Sequence, residues 1–81
     1  MNMTSVAQRL ESKFGLGTRP DLRRALFKRL EQLVETEGER AYIVIASAAA
    51  DAQGKDNPGH YFTRVVTLRL YERGVLKAQE F

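Results

Sequence analysis

His60 is the one histidine of this sequence, and histidine is the side chain best suited to acid–base work near neutral pH. A catalytic triad needs a nucleophile, a base and an orienting group that meet in space. The chain has no cysteine, so the nucleophile would have to be Ser or Thr, and none stands in a Gly-x-Ser-x-Gly elbow. His60 therefore reads as a surface residue in a loop or a first helical turn. Asp51, Asp56 and Asn57 are the oxygen ligands that come near one another in sequence, but their spacing does not match a calcium loop. Helix-end and turn chemistry explains them instead. Gly54-Lys55 is followed by Asp56 where a phosphate loop needs Ser or Thr, and no glycine stands five residues before Gly54. Gly15-Leu16-Gly17 lacks the third glycine and the preceding strand of a dinucleotide fingerprint. The expectation is a binding module and not an enzyme, with no cofactor and no bound metal.

Charge is more informative. Residues 1–29 hold seven basic and two acidic side chains, residues 30–56 hold two and six, and residues 57–81 hold four and two. The net charge of +3 is mild, but it is laid out basic–acidic–basic, so the surface field is uneven. Arg19, Arg23, Arg24, Lys28 and Arg29 crowd the first half of one amphipathic segment, and Glu31, Glu35 and Glu37 fill its second half. A helix macrodipole favours acids first and bases last, each charge mattering by about 0.3–1 kcal/mol at low salt. Helix stability alone therefore does not explain this order. Phosphates of a polyanion would explain it, as would a second copy or a partner chain of opposite charge order. So would ion pairs inside the domain, for instance Arg40 or Lys55 with the acidic end.

A second basic set, Lys55, His60 and Arg64, surrounds the start of the last element. A helix beginning there would offer unpaired N–H groups to an anion, and Tyr61 beside it is a candidate for stacking on a base. Arg69, Arg73 and Lys77 extend the basic character toward the C-terminus. The leading expectation is a nucleic-acid-binding or accessory module that contacts DNA or RNA phosphates through Arg19, Arg23, Arg24, Lys28, Lys55, His60 and Arg64. The alternative is a protein-interaction module, either a homodimer or an adaptor or inhibitor of a larger partner.

The elements that position these residues are divided by glycines. Thr4 or Ser5 can cap a first helix in which Val6, Leu10 and Phe14 form a stripe, ending at Gly15. Thr18 and Asp21 resemble a capping box for a second helix over residues 20–37. There Leu22, Leu26, Phe27, Leu30, Leu33 and Val34 fall within an arc of about 140°. Residues 41–71 carry mixed signals. Tyr42-Ile43-Val44-Ile45 and the alternation Val66, Leu68, Leu70 suggest strands. The alanines of residues 46–52, Gly54, the Asn57-Pro58 start and the Arg73-Gly74-Val75 end suggest helices over about 39–53 and 58–73.

The expected fold is all-α, a small orthogonal bundle of about four short helices in one domain. The core is expected to hold Val6, Leu10, Phe14, Leu22, Leu26, Leu30, Leu33, Ile43, Phe62 and Val66. The other arrangement is α+β, with two N-terminal helices and an antiparallel meander from residue 40 onward. A helix-turn-helix arrangement is compatible but unspecified. No apolar run approaches the roughly 18 residues of a membrane span. The absence of cysteine suits a reducing cytoplasm.

Overall fold

The computed structural model describes residues 5–76, which form four helices and, among the described residues, no strand. They are α1 (Val6–Phe14), α2 (Pro20–Glu37), α3 (Glu39–Ala52) and α4 (Pro58–Glu72). The all-α expectation holds, and residues 40–76 do not form a meander. Lys77 and Thr4 lie outside the described residues.

The caps show why helix wins in the ambiguous half. Asn57 accepts the His60 N–H on its side-chain oxygen at 3.2 Å, with Pro58 following at the first helical position. At the other end of α4, the Val75 and Leu76 N–H groups both donate to the Leu70 carbonyl, at 2.9 and 3.2 Å. This turn folds Val75 and Leu76 back into the core. At α1, Ser5 supplies a full capping box: its Oγ accepts from the Gln8 N–H at 3.0 Å, and Gln8 Oε1 accepts from the Ser5 N–H.

The expected cap of α2 is not formed. Its N-cap is Arg19, at φ −127° and ψ 73° and without a side-chain bond, so Thr18 is one residue too far out. The residue before a proline is driven out of helical conformation, and Pro20 therefore makes Arg19 the flanking residue.

One core runs through all four helices. It contains Leu10 of α1, Phe27, Leu30 and Leu33 of α2, Ala41, Val44, Ile45, Ala48 and Ala52 of α3, and Phe62, Val66 and Leu70 of α4. Val6, Phe14 and Leu26 are half-buried against it. Two expected core residues are not there: Leu22 is 61% exposed and Ile43 is 53% exposed. Leu22 sits at one edge of the α2 arc, in its first turn. Ile43 lies on the face of α3 opposite Ala41, Ala48 and Ala52. The run Tyr42-Ile43-Val44-Ile45 is apolar all round the helix, so its pattern cannot say which side faces in.

Arg69, which falls beside Phe62 on the inner face of α4, is accommodated by two partners on α3. It meets Asp51 at 2.6 Å and Ser47 Oγ at 3.3 Å, while its side chain stays 30% exposed. The aliphatic stem lies along the helix and the charged head reaches the rim.

Candidate functional site

The basic residues of α2 divide into those used inside the domain and those facing solvent. Arg23 is turned inward. Its Nη1 donates to the Gly15 carbonyl at 3.5 Å and presses on the backbone at Gly59, where a Cβ would stand 2.6 Å from it. Gly59 is buried, and the absence of a side chain there is what lets Arg23 reach across from α2 to the first turn of α4. Arg24 pairs with Glu11 of α1 at 3.7 Å, with both side chains about half exposed. Arg19 and Lys28 are exposed.

The acidic half of α2 is also engaged. Glu31 Oε1 accepts the Ala7 N–H at 2.9 Å. A carboxylate that looks misplaced on α2 thus sits at the N-terminal end of α1, where a dipole favours it. That bond, a second from Ser5 and the nearby Lys28 hold the Glu31 carboxyl below its ordinary value. Glu37 pairs with Arg40 at 3.6 Å, and Arg40 Nη2 donates to the Gly74 carbonyl at 3.0 Å. One of the expected intradomain ion pairs is therefore present.

The Glu31 contact sets a pH dependence. A carboxyl with a depressed folded-state pKa stabilises the fold above its unfolded value of about 4.3. That contribution is lost as pH falls through the lower folded-state value. Glu31→Gln should make stability flatter with pH in this acid range while keeping an oxygen for the Ala7 N–H. Thermal melts of the two proteins from neutral pH to about pH 3 check this. Parallel curves would show that Glu31 has no share in acid unfolding.

The second basic set is brought together. Lys55, His60, Tyr61 and Arg64 line one open groove of about 440 Å³, with Asp56, Asn57, Val65 and Leu68. Tyr61, Arg64, Val65 and Leu68 recur at helical spacing and make one face of α4, while residues 55–57 form the opposite wall. Lys55 Nζ stands 4.9 Å from the centre of the Tyr61 ring, a cation–π contact. His60 and Arg64 are exposed. Leu68 is 56% exposed and extends the groove with apolar surface. Arg23 brings the starts of α2 and α4 together at Gly59, on the buried face of α4, and Arg19 is not among the residues that line the groove.

A larger groove, of about 750 Å³, lies between α1 and α3. Sequence reasoning missed it. Its rim carries Arg9 and Lys13, four residues apart on α1, a signal that was present in the sequence but unexceptional. Among the described residues no group of three or more His, Asp or Glu side chains is placed to hold a metal ion, and no helix is long and apolar enough to cross a membrane. Comparison with protein-family models, curated proteins and solved structures finds no match to this chain.

Proposed function

We propose that this domain is a non-enzymatic module that binds single-stranded nucleic acid across the groove of α4. The observation that carries the reading is the convergence of Lys55, His60 and Arg64 on one concavity with a Tyr61 face and the apolar Leu68 beside them. Cations that track a backbone, next to an aromatic platform, are the two ingredients of sequence-tolerant single-strand binding. An exposed cation–π contact is worth only about 0.5–1 kcal/mol. A phosphate therefore competes well for Lys55, and its departure opens to a base the part of the half-buried Tyr61 ring that is not packed against the core. Arg19 and Lys28 remain exposed as further cations, while Arg23 and Arg24 are already engaged. A protein-interaction role, the alternative reading, would use a different surface, the groove between α1 and α3.

Fluorescence anisotropy with labelled single- and double-stranded DNA and RNA at two salt concentrations tests this. Single strands should bind with roughly micromolar Kd at low salt. Three to four phosphate contacts would give a log–log salt slope of magnitude about 2–3, at about 0.7 per phosphate. Lys55→Glu with Arg64→Glu should abolish binding without unfolding the protein. Tyr61→Ala should weaken single strands by about 1–3 kcal/mol and leave the weaker duplex binding unchanged. No binding at low salt would remove the proposal.

A further inference from the structure

The face of α3 toward α1 is apolar, and its outer part, Tyr42, Ala46 and Ala50, is exposed among the described residues. Residues 41–50 carry no charge and include one hydroxyl amino acid besides Tyr42, namely Ser47. A helix that is apolar on every side is normally covered on every side. Here Ala41, Ala48 and Ala52 face the core, and Ser47 and Asp51 face α4 through Arg69. The remaining side, Tyr42, Ile45, Ala46, Ala49, Ala50 and Gln53, forms one wall and the floor of the α1–α3 groove. Tyr42 is 42% exposed, and Ala46 and Ala50 are exposed.

The shape fits a helix. The α3 wall spans Tyr42 to Gln53, three turns or about 16 Å at 1.5 Å per residue. Its small side chains let a second backbone come close. Val6, Ala46 and Ala49 offer accessible apolar positions to such a helix, and the buried Leu10 and Ile45 close the floor beneath them.

The charge fits one sign. Arg9 and Lys13 stand on the rim, and neither meets an acidic partner among the described residues. No acidic side chain lines the groove.

We propose that the α1–α3 groove docks an acidic amphipathic helix of a partner protein, with its apolar stripe on Val6, Ala46 and Ala49 and its carboxylates on Arg9 and Lys13. This surface is separate from the α4 groove, so it stands or falls independently of nucleic-acid binding.

The test uses the full chain and two synthetic helical peptides of about 15 residues. Both carry leucines at i, i+3, i+4 and i+7. One has Glu along both flanks and the other has Lys at the same positions. Binding is read by calorimetry and by amide chemical shifts of the protein. The acidic peptide should bind with a Kd of roughly 10–100 µM, shifting residues of α1 and α3, and the basic one at least tenfold more weakly. Arg9→Glu with Lys13→Glu should invert that preference. Ala46→Arg, at an exposed position, should lower affinity at least tenfold while the circular dichroism spectrum and melt stay unchanged. Failure of the acidic peptide to saturate near 1 mM, shifts confined to other surfaces, or no inversion by the double variant would overturn the proposal. So would a concentration-dependent dimer dissolved by Ala46→Arg, which would assign the groove to a second copy.

Discussion

Phe62→Ala should remove most of the stability of this domain. The side chain is fully buried, and it joins three helices. Its ring stacks on Phe14 of α1, with centroids 4.6 Å apart and planes at 16°, and meets Phe27 of α2 tilted at 6.3 Å. Truncating a buried phenylalanine costs about 3–5 kcal/mol, because transfer energy is lost and a cavity stays. A chain of 81 residues has about 4–12 kcal/mol in all. At about 4–8 °C per kcal/mol for a domain of this size, the expected fall in Tm is at least about 12 °C. Phe62→Leu separates the two components. It keeps much of the apolar volume and gives up the ring pairs, worth about 0.5–1.5 kcal/mol each beyond area. Leu22→Ala and Ile43→Ala serve as contrasts, since both side chains are mostly in solvent and each should cost under about 0.5 kcal/mol. Thermal and denaturant melts read all four. A Phe62→Ala protein melting within about 5 °C of the parent would show that the three helices do not depend on this contact.

That contrast also marks what could be read from the residues alone. Helix ends were legible because their signals are local. Asn57-Pro58, Gly15, Gly38 and Gly74 each fix a boundary through a few local hydrogen bonds, and α2 begins and ends where its pattern does. Phe62 and Val66 of the α4 core were legible once the helix was chosen, while Leu70, four residues further on, was hidden by the alternation Val66, Leu68, Leu70. The facing of α3 was not, because an all-apolar stretch has no phase. Ile43 and Ile45 are chemically alike, and only the packing of neighbours decides that Ile45 is buried. The roles of the charges were hidden for a related reason. A net surplus of arginines does not reveal that Arg23 is spent on the Gly15 carbonyl or that Glu31 serves the first turn of another helix. Those contacts join residues 8 and 24 positions apart. Lys55, His60 and Arg64 were easier, because they fall within ten residues around a single helix start.

Gly38 offers the second large effect, of a different physical origin. It is the single residue between α2 and α3, closing one and opening the other. Its N–H donates to the Val34 carbonyl at 2.9 Å, and its carbonyl accepts from the Ala41 and Tyr42 N–H groups at 3.1 and 3.2 Å. Holding both sets of bonds requires φ 70° and ψ −140°, a combination close to the region that only glycine enters freely. A Cβ would meet nothing within 4 Å, so any cost of a side chain is backbone strain alone. Gly38→Ala should therefore destabilise by about 1–3 kcal/mol. Asparagine should not rescue it, since asparagine tolerates the left-handed helical region but not this ψ. D-alanine should. The mirror image of φ 70°, ψ −140° lies in the broad extended region that an L-residue occupies without strain. Chemical synthesis of the chain with D-alanine at position 38 should restore stability, or raise it by about 0.4–1 kcal/mol through a less flexible unfolded state. If the L- and D-alanine proteins melt together well below the parent, the turn is held by something other than its backbone sign. If they separate as expected, one dihedral pair sets how α3 leaves α2, and with it the opening of the groove against α1.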